Sequence, residues 1–520
     1  MGARLAILGG AGLLLGLFVG PLQAIGAELT MAKVQAALPQ LDAVARQLVE
    51  SGQVPGMSIA VVYDDQTVFL KGYGVREEGK PALVDPDTVF QLASMSKPLA
   101  STVVATLVSD GTLTWDTRIS DIDPGFQLYD PYATRELTLR DLFSHRSGLS
   151  PQAGNDIEGL GVPRDEILRR LRYLKPTSSF RSTYAYSNFG ITEAGIAAAD
   201  AAHMSWEDLA ETHLYRPLGM NSTSSRYSDF IARPDHAELH IRTDGKWVPK
   251  VKRMPDGQSP AGGVSSTARD MALWLRLQLD GGTVGGNELI KSAALLATHT
   301  PVISTGPDPV SGVPTFYGLG WIVSYSPRGM VLRHSGAFSA GARTIVSMIP
   351  AEHLGIVVLC NNFPTGVPEG LADDLYDQVF DGAPSRDWVK AWTDLFDAAY
   401  GPEAAAAATK VFAQAPAAPR AALPLSAYTG TYANDYLGMV AISELNGGLS
   451  LTIGEGAVNK TYPLTHFDGD IFLFYPGEEQ PTMPAPLYFV VGPDQKAAEL
   501  DLDALNDDGQ GVLRPTGGGF

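Results

Sequence analysis

A stretch rich in alanine and proline, running from Ala413 to Pro424, divides this chain into two units of different grain. Pro416, Pro419 and Pro424 each fix φ and lack a backbone donor, so no helix or central strand can pass through them. The stretch reads as a stiff linker, preceded by an alanine-rich helical run over residues 403–410. Beyond it, strand-forming runs are short and closely spaced, at residues 429–433, 439–445, 449–453, 471–475, 487–491 and 497–502. Asn446-Gly447 between two of them is a strong hairpin signal, because both residues tolerate positive φ. Such spacing predicts a small antiparallel barrel or sandwich.

The unit before the linker is patterned differently. A helix is predicted from Pro39 to Ser51, with Leu41, Val44 and Leu48 on one face. Two strands follow, residues 57–63 and 67–72, joined by Asp64-Asp65-Gln66. Residues 95–300 read as mostly helical with long loops. Strand signals return at 329–333, 344–349 and 354–360. Strands at both ends of a helical stretch predict one antiparallel sheet, flanked by helices and carrying an inserted all-helical region, an α+β fold. The domain organisation expected is a leader at 1–27, a main domain at 28–400, a helix and linker at 401–424 and the small β-domain at 425–520. A chain of 520 residues exceeds one compact core in any case.

Charge narrows the partners. The formal net charge is −19, and residues 421–520 hold three Lys/Arg against thirteen Asp/Glu. Nothing in such a surface offsets phosphate repulsion, which argues against nucleic acid and anionic membrane surfaces as partners. Cys360 is the sole cysteine, so no intrachain disulfide forms, and its apolar strand context predicts a core thiol and not a nucleophile. At the N-terminus, Arg4 precedes an uncharged run from Leu5 to Ala27 with small residues near Ala24 and Ala27. This describes a secretory leader and a periplasmic or secreted protein. The alternative is an uncleaved anchor over residues 5–27, the one case in which a membrane becomes a partner.

The candidate chemistry begins at Ser94-Met95-Ser96-Lys97. Residues three apart on a helix share a face, so the Lys97 amine can reach the Ser94 hydroxyl. A serine needs such a base to act as a nucleophile, and a helix N-terminus favours the developing oxyanion. A serine there is more often only an N-cap, so the pair gains meaning from its companions. Tyr186-Ser187-Asn188 supplies a phenol able to shuttle a proton and an amide able to hold a substrate amide. His334-Ser335-Gly336-Ala337 ends a strand and offers an edge without bulk for a substrate to lie against. Pro98 is an anomaly, since in a regular helix it deprives the Ser94 carbonyl of its N–H partner. No G-x-S-x-G or H-E-x-x-H motif occurs. His145, His213, His236 and His240 read as surface or loop residues without metal pairing, and no metal or cofactor is expected.

Ser94-x-x-Lys97, Tyr186-x-Asn188 and His334-x-Gly336 together resemble the three motifs of the penicillin-recognising serine hydrolases. The branch is that of class C β-lactamases, D-alanyl-D-alanine carboxypeptidases, D-aminopeptidases and related esterases. Residues 139–149, Pro217-Leu218-Gly219-Met220, Ala261-Gly262-Gly263 and Tyr317-Gly318-Leu319-Gly320-Trp321 resemble the same branch, so the likeness covers about residues 35–385. The tail from Tyr428 is similar to a lipocalin-like domain appended to some of these hydrolases.

The resemblance implies a β-lactamase/transpeptidase-like fold and an acyl-enzyme mechanism on a small-molecule or peptide substrate. Ser94 attacks a carbonyl, and Lys97 and Tyr186 share the proton transfers, with a Lys97 ammonium lowering the Tyr186 pKa. The N–H groups of Ser94 and Ala337 form the oxyanion hole, and Asn188 orients the substrate beside His334, Ser335, Gly336 and Ala337. The third motif usually begins with lysine in β-lactamases. A histidine there is only partly charged at neutral pH, which shifts the expectation toward peptide or ester hydrolysis. β-Lactamase activity, or an inactive penicillin sensor or ligand-binding protein, are the alternatives. Tyr317 and Trp321 are expected to pack the sheet.

Overall fold

The computed structural model describes residues 29–401, 412, 414–454, 459–476 and 484–516. The leader expected at 1–27 and the helix expected at 403–410 lie outside the described residues. Among the described residues no helix is long and apolar enough to cross a membrane.

Helix α1 (Met31–Glu50) leads into strands β1 (Gly56–Tyr63) and β2 (Gln66–Gly74). It starts eight residues earlier than the pattern predicts. The Thr30 hydroxyl caps it by accepting from the Lys33 N–H. Pro39 sits inside, on the exposed side, where water can take the carbonyl its ring leaves unpaired.

Six further strands complete the main sheet: β3 (Ile303–Pro307), β4 (Pro314–Tyr317), β5 (Ile322–Ser326), β6 (Gly329–Phe338), β7 (Ala342–Ile349) and β8 (Leu354–Cys360). The order is β2-β1-β8-β7-β6-β5-β4-β3, every pairing antiparallel. The N-terminal hairpin thus docks on the last strand, and the helical middle is an insertion into one sheet, as the patterning predicts. β6 runs on through His334-Ser335-Gly336 to Phe338 and does not stop at Arg333.

Period-two alternation sorts the apolar residues into two layers. Ile59, Val61, Ile345, Ile356 and Val358 pack with Val34, Leu41 and Leu48 of α1 and with Leu371 and Leu375 of a C-terminal helix, Val367–Asp381. Ala60, Val62, Val346, Met348, Val357 and Leu359 join the larger core on the other face. Cys360 lies in the first layer, fully buried, and burial pushes its thiol well above the ordinary range.

The C-terminal unit is a closed eight-stranded barrel: β9 (Gly430–Asn434), β10 (Gly438–Leu445), β11 (Gly448–Ile453), β12 (Lys460–Asp468), β13 (Ile471–Phe474), β14 (Ala485–Val491), β15 (Ala497–Leu502) and β16 (Val512–Pro515). Asn446 and Gly447 take φ values of +53° and +79°, the two-residue turn their sequence predicts. β12 and β16 escape the sequence reading. β12 contains Pro463 and shows a largely polar, half-exposed pattern, and β16 is four residues long and only closes the ring onto β9. Val440, Leu451, Phe474, Leu487, Leu500 and Leu513 fill the interior.

Candidate functional site

Ser94 sits at the join of a 3-10 turn, Ala93–Met95, and helix α2 (Ser96–Asp110). The α-helix proper therefore begins at Ser96, and Ser94 precedes it. This answers the anomaly of Pro98, which becomes the third residue of α2. The first N–H groups of a helix have no intrahelical partner, so a missing donor there costs nothing. Ala93 takes φ +49°, a left-handed conformation that a side chain disfavours. Several bonds hold this turn: the Leu92 carbonyl accepts from Thr344 Oγ1 at 2.8 Å, and Ser96 Oγ donates to the Ala93 carbonyl at 2.7 Å. Gly336 of β6 passes so close that a Cβ would lie 2.0 Å from the Leu92 oxygen.

Lys97 is fully buried, and its Nζ lies 2.9 Å from Ser94 Oγ, 2.7 Å from Asn188 Oδ1 and 3.0 Å from the Ala261 carbonyl. It also stands 4.5 Å from the centroid of the Tyr186 ring. Burial holds its pKa well below the lysine range. Of the three contacts, the Ala261 carbonyl and Asn188 Oδ1 can only accept. A neutral amine has two N–H donors and one lone pair. Two donors meet the two obligate acceptors, and the lone pair is left for the Ser94 hydroxyl proton.

Asn188 opens helix α3 (Asn188–Ala201), whose N-cap is Ser187, and its Nδ2 donates to Asn155 Oδ1 at 3.2 Å. Tyr186 precedes this helix. Burial pushes its phenol up, outweighing the Ser94 hydroxyl and the more distant Arg343 charge. The expected lowering by a Lys97 ammonium is therefore reversed. The same desolvation keeps both groups neutral.

His334 is buried and faces Tyr317. Its Nδ1 donates to the Ser335 carbonyl and its Nε2 accepts from the Tyr317 hydroxyl, each at 2.8 Å. A carbonyl cannot donate, so these bonds specify one neutral tautomer. Burial lowers the pKa to about 3. The imidazole is thus neutral at neutral pH and not partly charged. Ser335 points to the opposite side of β6, where Oγ donates to Glu369 Oε1 at 2.6 Å, so its hydroxyl is turned away from Ser94. Arg343 donates to the same carboxylate oxygen.

Ser94, Asn188 and Ala337 line one cleft of about 420 Å³, which Leu160, Phe338 and, from the barrel, Tyr462 and Leu505 also wall. Tyr186, Lys97 and His334 stand behind it. Tyr317 and Trp321 are fully buried, as expected. Trp321 stacks on Trp274 with 5.6 Å between centroids, and Tyr317 holds His334.

His145 lies in a loop, as expected, but neither it nor His240 is at the surface. Both are buried, and His240 Nε2 accepts from the Glu78 N–H at 2.9 Å. His145 brackets Tyr186: its Nδ1 accepts from the Ser187 N–H at 2.9 Å and its carbonyl accepts from the Ala185 N–H at 2.8 Å. Its ring lies 4.5 Å from that of Tyr186, and burial keeps it neutral. The stretch at 139–149 held this signal, and Ala261-Gly262-Gly263 held that for the Ala261 carbonyl. Asn155 had none. Among the described residues, no group of three or more His, Cys, Asp or Glu is arranged to hold a metal ion.

A family model described as Beta-lactamase matches residues 41–380, and one described as Domain of unknown function (DUF3471) matches residues 414–512. The chain is 29% identical to "Unguisins hydrolase ungD'" of Aspergillus campestris (strain IBT 28561), over 75% of this chain and 74% of that protein. It is 26% identical to "D-alanyl-D-alanine-carboxypeptidase/endopeptidase AmpH" of Escherichia coli (strain K12), over 62% of this chain and 84% of that protein. Among solved structures, the octameric penicillin-binding protein homologue from Pyrococcus abyssi shares the fold. The TM-score is 0.59 at 20% identity, covering 92% of this chain and 99% of that one.

Proposed function

The chain belongs to the beta-lactamase family, and on that premise we propose that it is an exported serine hydrolase. It cleaves an amide or ester through an acyl-enzyme on Ser94, in the manner of D-amino-acid peptidases, carboxypeptidases and esterases. The observation that carries this reading is the Lys97 amine, buried and 2.9 Å from Ser94 Oγ with its other two contacts both acceptors.

Lys97 takes the Ser94 proton as Oγ bonds to the carbonyl carbon, and negative charge moves to the carbonyl oxygen. Backbone N–H groups of Ser94 and Ala337 receive that charge, beside the positive end of α2. Tyr186, held as a phenol, is an acid and not a base at this stage. It hands a proton to the leaving nitrogen or oxygen as the old bond breaks, and Lys97 resupplies it. Water then repeats the sequence and frees Ser94. Asn188, tied to Lys97 and Asn155, presents its amide to the substrate. Relatives named for hydrolysis of unguisins and of D-alanyl-D-alanine peptides support a peptide substrate. The neutral His334 leaves the third motif without the fixed cation that would hold a carboxylate. The apolar N-terminal run supports export to the periplasm or beyond.

Mass spectrometry after incubation with a fluorophosphonate and, separately, with penicillin tests the reading. Absence of any adduct on the Ser94 peptide overturns it. A penicilloyl adduct that persists supports the peptidase assignment, and rapid turnover of penicillin replaces it with β-lactamase activity.

A further inference from the structure

The cleft is not built by the main domain alone. Tyr462 and Leu505 of the barrel face Leu160 and Phe338 across it, in the same cavity that Ser94 lines. The barrel is also fastened to the rim. The Tyr436 hydroxyl, 1% exposed, donates to Asp156 Oδ1 at 2.5 Å and accepts from the Gly154 N–H at 3.0 Å. Gly154 takes φ +84°, and a Cβ there would lie 2.6 Å from the Phe189 ring, so the backbone reaches Tyr436 only as glycine. The Tyr436 carbonyl accepts from Arg170 at 2.9 Å, and Lys460 Nζ donates to the Gly159 carbonyl at 2.7 Å. The helix so clamped, Asn155–Gly159, carries the Asn155 side chain that accepts from Asn188. The barrel's hydrogen bonds and the Asn188 contact to Lys97 therefore meet on one short helix.

The charged side chains lining the cleft, among the described residues, are Asp156, Glu158 and Arg253, an excess of one carboxylate. The Arg253 guanidinium lies 2.6 Å from Glu158. The remaining surface is uncharged: Leu160, Phe338 and Leu505 are apolar, and Gln152, Gln258, Ser339 and the Tyr462 phenol are polar.

We propose that the barrel is a working wall of the catalytic cleft, and that this wall selects substrates whose group on that side carries no carboxylate. The proposal rests on Ser94 being the nucleophile. With Arg253 already paired to Glu158, a substrate carboxylate meets the excess negative charge of Asp156 and is disfavoured, whereas an uncharged group meets no such repulsion.

Two alkyl fluorophosphonates of equal length test it on the full chain, one ending in methyl and the other in carboxylate. Ser94 Oγ bonds to phosphorus, fluoride leaves, and the hydroxyl proton passes to Lys97. The second-order labelling rate at Ser94 is the readout. The neutral probe is expected to label about tenfold faster. Leu505→Lys, in a half-exposed turn of the barrel, is expected to erase that preference by accelerating the anionic probe. Asp156→Asn, which keeps an oxygen for Tyr436, is expected to move the ratio the same way by a few fold and decides the matter if Leu505→Lys fails to fold. Equal labelling of wild type by both probes, or a ratio unmoved in a folded variant, overturns the wall. Failure of both probes to label wild type overturns the nucleophile assignment instead.

Discussion

Asp156→Asn also gives a sharp test of the interface energetics. The Asp156 carboxyl is half-buried against the barrel, and desolvation raises its pKa from 3.8 to about 6 against the pull of the Tyr436 hydroxyl and the Ile157 N–H. Both donors reach Oδ1, at 2.5 and 2.9 Å, and an asparagine oxygen can accept both. The sign follows from linkage. Between about pH 4 and 6 the folded state binds a proton that the unfolded state has lost, so this group's contribution to stability falls as pH rises through that window. Above it, the folded protein carries a penalty of roughly 2 pKa units, about 3 kcal/mol. Asparagine carries no such term. Thermal unfolding of wild type and Asp156→Asn should give melting temperatures that differ at pH 4.5 by only about a third of the gap at pH 7.5. At pH 7.5 the variant should melt several degrees higher, since 1 kcal/mol moves a large domain by about 2–4 °C. Two melting curves that stay parallel from pH 4.5 to 7.5 would refute the reasoning, because Asp156 would then titrate alike folded and unfolded.

The neutral Lys97 makes activity fall on the acid side, as protonation removes the lone pair facing Ser94; Lys97→Ala should lose the pH-dependent step and about 10²–10⁴ in turnover, read from steady-state rates across pH. His145→Ala leaves the buried Ser187 N–H without its acceptor, which should cost roughly 1–3 kcal/mol by denaturation and slow Ser94 labelling by displacing Tyr186. In Tyr317→Phe the His334 Nε2 loses its donor; histidine chemical shifts should show its titration moving, while unchanged shifts would break the assigned hydrogen bond. Cys360 should stay unmodified by thiol reagents in the native protein and react only on unfolding, since burial withholds both access and the thiolate.

Periodicity alone made the sheet, the helical insertion and the small β-unit legible, because alternation and turn residues are local properties of the chain. It also exposed Ser94 and Lys97 as neighbours, since three residues span one helical turn whether 3-10 or α. The order of Tyr186, Asn188 and His334 along the chain marked the rest of the site. Protonation was beyond its reach. Whether Lys97, Tyr186 and His334 are charged depends on desolvation by residues tens to hundreds of positions away, and the fold makes all three neutral. Strand alternation could be read, but not which side of β6 faces Ser94, so the Glu369 partner of Ser335 was invisible. His145 looked like a loop residue because it is one, at φ +56°; its burial comes from Tyr184, Tyr186 and Tyr317 closing over it. Two folding units and the residues able to do the chemistry follow from local pattern and side-chain type, and so are written along the chain. That the second unit walls the cleft of the first follows from folding, because the contact joins Tyr436 to Asp156, 280 residues apart, through a hydrogen bond no local pattern encodes.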